Sequence, residues 1–112
     1  MNKFNQFLGI AKKSGNILQG YNKCQEGLMK KRIHLLIFSE TISQNSKDKF
    51  IKYCTDYNTR YIGDVNQCDM EILQDKEDVK IVGITNLEMS NRLLQLWNEK
   101  INCFGGEYNG KD

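Results

Sequence analysis

The sequence IHLLIF, residues Ile33–Phe38, decides the fold class. It is an apolar run of strand length, and such runs are typical of a strand that is covered on both faces. A second run of this kind is Val79–Thr85 (VKIVGIT). Shorter extended segments lie at Ile17-Leu18 and at Thr59–Ile62, the latter expected to end at Gly63-Asp64. The sequence therefore predicts a sheet of about four strands.

Apolar residues at helical spacing lie between these strands. The first stripe, at i, i+3, i+4 and i+7, predicts a helix over residues 3–13 and consists of Phe4, Phe7, Leu8 and Ala11. A second helix is expected to begin at Tyr21, and a third near Asn45-Ser46, either of which could be its cap. A short helix is expected at Asp69–Leu73, and a final one over about residues 87–103. Because helices and strands alternate, the sequence predicts an α/β fold, a three-layer α/β/α sandwich around the sheet.

The length of 112 residues suits one domain, which we expect at residues 1–104. The tail, residues 105–112, contains three glycines without periodicity and is predicted to be mobile. No stretch approaches the ~20 apolar residues of a membrane span, and the N-terminus lacks the apolar run of a secretory signal. These features predict a soluble, cytoplasmic protein with no membrane contact, and we expect a monomer rather than an oligomer.

The charge is distributed unevenly along the chain. Residues 1–32 carry seven Lys and Arg and one acid, a net charge of +6, whereas residues 33–112 carry a net charge of −4. A positive potential built by one third of the chain is typical of proteins that bind a polyanion, most commonly nucleic acid. A pair of solvated helices would carry the same charges, so this alternative remains open.

The cysteines and the single histidine do not support catalysis or metal binding. The four cysteines (Cys24, Cys54, Cys68, Cys103) contain no C-x-x-C pair, and His34 has no second ligand at zinc-like spacing. Three of the four cysteines fall on apolar faces of predicted helices, where a free cysteine behaves as a small hydrophobic residue. No nucleophile motif and no glycine-rich phosphate loop is present. The sequence therefore predicts a protein that is not an enzyme and needs no metal or cofactor.

The segment Lys12–Arg32 holds the candidate binding residues. Gly20 comes just before the second predicted helix, whose free N–H groups can receive a phosphate, and glycine permits a close approach of the backbone. Asn22, in the first turn, offers the donor and acceptor pair with which amides read a base edge. The alternative is that Gly20 only turns the chain and Asn22 only caps the helix.

The same segment resembles a known family. The run LGIAKKSGNI (residues 8–17) followed by Gly20-Tyr21-Asn22 is similar to the opening of the L-seven-Ae/L-thirty-e ribosomal proteins, especially their bacterial YlxQ-type members. The resemblance continues in residues 35–40 (LLIFSE), residues 54–58 (CTDYN) and residues 79–85, so that it covers about residues 4–103.

The resemblance implies a mixed sheet and binding to structured RNA, with the kink-turn and its sheared G·A pairs as the typical target. In the family a Gly-x-Asn-Glu-x-x-Lys motif reads guanines. Gly20 and Asn22 match it, whereas Lys23 stands in place of Glu and Glu26 in place of Lys. The candidate RNA-binding residues are Lys12, Lys13, Gly20, Tyr21, Asn22, Lys23, Glu26, Lys30, Lys31 and Arg32.

A second departure from the family lies in the loop before the last strand. Residues 75–78 (DKED), where relatives carry an apolar loop against the RNA, are all charged, and Met70-Glu71 replaces the usual Leu-Gly pair. Because acidic side chains are repelled by phosphates, we expect altered RNA specificity. Two functions follow: a ribosome- or translation-associated protein that binds ribosomal or other non-coding RNA, with possible ribosome-associated protein partners, or a protein-interaction module on the same fold.

Overall fold

The structure is a computed structural model that describes residues 3–74 and 78–103, with side chains up to Lys100. The predicted mobile tail and most of the acidic loop at residues 75–78 lie outside the described residues. The elements, in chain order, are α1 (Lys3–Lys13), β1 (Ile17–Gln19), α2 (Tyr21–Met29), β2 (Leu35–Ser39), α3 (Gln44–Tyr57), β3 (Arg60–Val65), a 3₁₀ helix (Gln67–Leu73), β4 (Ile81–Ile84) and α4 (Leu87–Cys103).

The four strands form one mixed sheet in the order β1-β4-β2-β3. β2 and β3 are parallel, whereas β4 is antiparallel to both of its neighbours, β1 and β2. The central position of β2 explains the apolar run from which it is built, because all five of its residues are buried. This confirms the predicted α/β fold with its mixed sheet of four strands.

Helices cover both faces of the sheet. Leu35 and Ile37 of β2 pack in a core that also contains residues of α1, α4 and the 3₁₀ helix. Leu36 and Phe38, which alternate with them, pack in a second core with residues of α2 and α3, including Cys24 and Cys54. The sheet is thus the middle layer of the predicted three-layer α/β/α sandwich.

Several predicted boundaries need correction. The cap of α3 is Ser43, whose Oγ accepts a hydrogen bond from the N–H of Ser46 at 3.2 Å, so neither Asn45 nor Ser46 is the cap. Nor does β3 end at Gly63-Asp64, because the strand continues to Val65 through a bulge. Asp64 adopts a left-handed conformation there, with φ 57°. The bulge inserts one extra residue into β3 opposite β2, which the amino-acid pattern does not reveal.

The strand register defines two ends of the sheet. At the upper end, the N–H of Gly20 donates to the carbonyl of Ile81 at 3.1 Å, and β2 finishes alongside at Ser39. At the lower end, the N–H of Thr85 donates to the carbonyl of Asn16 and the N–H of His34 donates to that of Ile84. The α2 helix therefore begins at the upper end and returns the chain to the lower end, where β2 begins.

Candidate nucleic-acid interface

The α2 helix begins at a glycine that other residues cannot replace without strain. Gly20 has φ 100° and ψ 163°, a combination that is essentially restricted to glycine. Its N–H bonds to the sheet, and its carbonyl accepts the first helical hydrogen bond from the N–H of Cys24. The N–H groups of the next three residues, Tyr21, Asn22 and Lys23, have no intrahelical acceptor, because they form the first turn. They lie at the positive end of the helix.

Asn22 does not cap α2. The residue in the N-cap position is Gly20, which has no side chain to contribute. The side chain of Asn22 is exposed, and within the described part of the chain its amide makes no hydrogen bond. The interpretation of Asn22 as a helix cap is therefore wrong, and its amide donor and acceptor both face solvent beside the free N–H groups.

Tyr21 and Lys23 complete this group. The ring of Tyr21 lies 6.0 Å from the ring of Phe50 in α3, centre to centre, which holds one side of the tyrosine against the protein. Its side chain is nevertheless 41% exposed. Lys23 is exposed and forms no ion pair within residues 3–74 and 78–100. We name Gly20, Tyr21, Asn22 and Lys23 the α2-start site.

Lys80 is a cation near this site that the sequence analysis missed. Its carbonyl accepts a hydrogen bond from the N–H of Ser39, and the next residue, Ile81, pairs with Gly20. Lys80 therefore lies at the upper end of the sheet, directly before β4, the strand between β1 and β2. Only the antiparallel register of β4 brings it there, and nothing in the local sequence indicates this register.

Glu26 and Lys30, one turn further along α2, neutralise each other. Lys30 Nζ lies 2.8 Å from Glu26 Oε2, and both side chains are exposed. The hydrogen bond from Lys30 and its positive charge lower the pKa of Glu26. Both residues line a shallow groove of about 440 Å³ on the outer face of α2, together with Asn22. Lys30 thus adds less positive potential than its charge alone indicates.

The remaining candidate cations lie at the other end of the molecule. Lys31 and Arg32 follow α2, where the N–H of Lys31 donates to the carbonyl of Leu28 and that of Arg32 to the carbonyl of Gly27. Lys12 and Lys13 end α1, which also finishes at the lower end of the sheet. Since nine residues of helix span about 13 Å, these four cations are separated from the α2-start site by the length of α2. The sequence-predicted residues thus form two groups.

Two of the described cysteines, Cys24 and Cys54, are unreactive parts of the core, whereas Cys68 is exposed. Cys24 and Cys54 are buried, and burial raises the pKa of each thiol to about 12. Thiols with such values are protonated at neutral pH and are poor nucleophiles. Among residues 3–74 and 78–100 no group of three or more His, Cys, Asp or Glu side chains is arranged to hold a metal ion. No described helix is long and apolar enough to cross a membrane.

Comparison with known proteins places this geometry in a family. The Ribosomal protein L7Ae/L30e/S12e/Gadd45 family profile matches residues 2–93. The chain belongs to this family. The match includes both the α2-start site and the sheet. The narrower resemblance to the YlxQ-type members stays a prediction.

Solved structures share the fold of this family member. A protein of unknown function from Bacillus halodurans superposes with a TM-score of 0.80 at 19% identity, over 88% of this chain and 99% of that chain. A 15.5 kD RNA-binding protein from Giardia lamblia superposes with a TM-score of 0.67 at 11% identity, over 86% of this chain and 82% of that chain. No curated protein sequence matches the chain.

Proposed function

We propose that this family member is a non-catalytic protein that binds structured RNA, a kink-turn or a related fold, through the α2-start site. The observation that carries the proposal is the exposed amide of Asn22, which makes no hydrogen bond to the described residues, beside the N–H groups of the first turn that follows Gly20. Membership of a ribosomal protein family and the fold shared with the Giardia RNA-binding protein support it. We place its role in the cytoplasm, in association with ribosomes or translation, and as a monomer.

Each part of the α2-start site suits a different part of an RNA. The N–H groups after Gly20 suit a phosphate, because they are free donors at the positive end of a helix. The amide of Asn22 suits a base edge that offers one donor and one acceptor. Lys23 can donate to guanine O6 and N7 or to a phosphate, but it cannot accept a hydrogen bond. The exposed ring of Tyr21 suits an unstacked base.

A protein-interaction module is the second candidate function, and one observation favours it. Ile10 of α1 and Ile72 of the 3₁₀ helix are 51% and 41% exposed, and they line a groove of about 510 Å³ together with Lys12 and Lys13. Exposed apolar side chains beside charges are common at protein interfaces. The salt dependence of binding separates the two functions, because phosphate contacts make affinity fall steeply with salt concentration.

The substitution Asn22→Ala tests the proposed function. Because the amide makes no hydrogen bond to the described residues and is exposed, the variant should melt at the wild-type temperature. Loss of a bidentate base contact, worth about 1–3 kcal/mol, should weaken binding to a kink-turn RNA roughly 5- to 150-fold at fixed salt.

Asn45→Ala is the matched control, since Asn45 is an exposed asparagine in the first turn of another helix, α3. It should bind RNA as the wild type does. Equal affinity of the Asn22→Ala variant and the wild type would contradict the role of the α2-start site. A wild-type protein that binds no structured RNA would refute the proposed function itself.

A further inference from the structure

The lower end of the sheet contains a cleft that is separate from the α2-start site. It has a volume of about 680 Å³ and lies between the segment that follows α2, the end of α3 and the first residues of α4. The side chains that matter for the argument are Lys31, His34, Tyr57, Arg60 and Asn91. The α2 helix, about 13 Å long, separates this cleft from Asn22.

The cleft is positively charged. Lys31 and Arg60 contribute two cations, and no Asp or Glu occurs among the described residues that line it. Neither cation forms an ion pair within residues 3–74 and 78–100. Of the nearby acids, Asp56 faces Lys52 at 3.8 Å, and Glu88 is an exposed residue of α4 next to the cleft. An anion entering the cleft therefore meets two cations that form no ion pair with the described acids.

Arg60 is held in position by its neighbour. Its Nη2 donates to the Oδ1 of Asn91 at 2.8 Å, and this bond across β3 and α4 orients the guanidinium group. The bond uses one of the five guanidinium N–H donors and leaves others for a ligand. Because the planar guanidinium fork matches a phosphate, an oriented arginine is well suited to bind one.

Lys31 keeps a conformation in which lysine is unfavourable. It has φ 58° at the position after the α2 C-cap, where helices commonly end with glycine. A non-glycine residue in this region costs stability, and strain of this kind is concentrated at binding sites. The cost is understandable if the ammonium group has a ligand.

The cleft also presents aromatic rings. Tyr57 and His34 line it, and both are half-buried. Rings next to cations are the arrangement with which proteins bind single-stranded nucleic acid, since bases stack on the rings while the backbone follows the charges. A concave cleft of this volume is of the size that holds a small ligand or a short piece of a strand.

We propose that the lower cleft binds a single-stranded segment of RNA, with phosphate on Lys31 and Arg60 and a base on Tyr57 or His34. This inference rests on the proposed function in one respect: the segment is taken to extend from the structured RNA that the α2-start site binds. The longest dimension of the protein is 36 Å. A tail of fifteen nucleotides spans about 50 Å even at the 3.4 Å helical rise per nucleotide, so one RNA can reach both sites.

The test compares three RNA probes at one salt concentration: a blunt kink-turn RNA, the same RNA with fifteen-nucleotide uridine tails at both ends, and the uridine fifteen-mer alone. At about 0.15 M salt, wild-type protein should bind the tailed RNA about tenfold more tightly than the blunt RNA, because two phosphate contacts to a single strand release about 1.4 counterions. The fifteen-mer alone should bind weakly. We call this difference in affinity between tailed and blunt RNA the tail gain. Lys31→Gly combined with Arg60→Gln should abolish both the tail gain and the binding of the fifteen-mer, while the affinity for blunt RNA stays unchanged.

The Lys31→Gly single variant separates binding from folding. Glycine suits φ 58°, so this variant should melt at a higher temperature than the wild type and yet lose most of the tail gain. Lys3→Gln with Lys49→Gln is the matched control, because it removes two exposed cations, one of α1 and one of α3, that form no ion pair within residues 3–74 and 78–100 and do not line the cleft. It should keep the tail gain.

The outcomes distinguish the two proposals. A wild type that binds blunt and tailed RNA equally would overturn the lower cleft as an RNA site and leave the proposed function intact. A wild type that binds the fifteen-mer through Lys31 and Arg60 but does not bind the kink-turn RNA would refute the proposed function and leave the lower cleft as an RNA site. Poly-glutamate is a competitor without bases. If it displaces the fifteen-mer from the cleft as effectively as unlabelled fifteen-mer does at equal charge, the cleft is a general polyanion site and the assignment to RNA is overturned.

Discussion

Leu36→Asp is expected to leave the domain largely unfolded at 25 °C. Leu36 is fully buried in β2, between β4 and β3, and it packs in the core under α2 and α3. An aspartate there has no cationic partner, so the substitution costs several kcal/mol in addition to the lost apolar contacts. Small domains have a total stability of only about 5–15 kcal/mol. Far-UV circular dichroism and a thermal melt measure the outcome.

The matched control for this substitution is Ile10→Asp. Ile10 is 51% exposed on α1, so an aspartate at this position stays in water and should cost about 1 kcal/mol or less. A cooperative melt of the Leu36→Asp variant within a few degrees of the wild type would mean that β2 is not the covered central strand of the sheet.

Exchanging two charges on α2 should create a preference for kink-turn RNA. The wild type carries Lys23 where the family motif has Glu, and a lysine cannot accept a hydrogen bond from a guanine amino or imino group. We expect the affinities of the wild type for two RNAs to agree within a few-fold. One RNA is a kink-turn, and the other is the same RNA with Watson–Crick pairs in place of the G·A pairs. The variant with Lys23→Glu and Glu26→Lys should prefer the kink-turn by about 1–3 kcal/mol per recovered contact, roughly 5- to 150-fold.

The structure supplies the control for this experiment. Glu26→Lys removes the ion pair with Lys30 and places two cations one turn apart, which slightly destabilises the helix. Glu26→Lys with Lys30→Glu reverses that pair, keeps the net charge and leaves Lys23 in place. This control should show no kink-turn preference. A strong preference in the wild type would mean that Asn22 and the backbone alone read the G·A pairs.

The sequence predicted the layers of this fold because its two central strands, β2 and β4, are buried on both faces. Residues 33–38 and 79–85 read as apolar runs, and the helices between them carry clear stripes, so the sandwich follows from hydrophobic burial alone. The bulge at Asp64 and the cap at Ser43 were missed, because both depend on hydrogen bonds between residues whose types fit several neighbouring positions. The residue types in a short stretch of sequence do not determine which of these hydrogen bonds form.

The candidate site was predictable only where its residues are adjacent in sequence. Gly20, Asn22 and Lys23 stay together because they form one helix turn. Lys31, by contrast, lies at the far end of α2, where it faces Arg60 across the lower cleft. Lys31 is separated from Gly20 because α2 runs from the upper to the lower end of the sheet. Arg60 comes close to the lower cleft because β3 pairs in parallel with β2. A charge count along the chain cannot distinguish two ends of one sheet.

The most direct test of the account is to locate the RNA on the protein by ultraviolet crosslinking. Wild-type protein would be crosslinked to a blunt kink-turn RNA and digested with trypsin, and the modified residue would be identified by tandem mass spectrometry. The account predicts a nucleotide on Tyr21, within the peptide Ser14–Lys23, because its exposed ring lies next to the free N–H groups and the amide of Asn22. Crosslinks confined to peptides outside residues 20–26, or no crosslink at a saturating protein concentration, would contradict it.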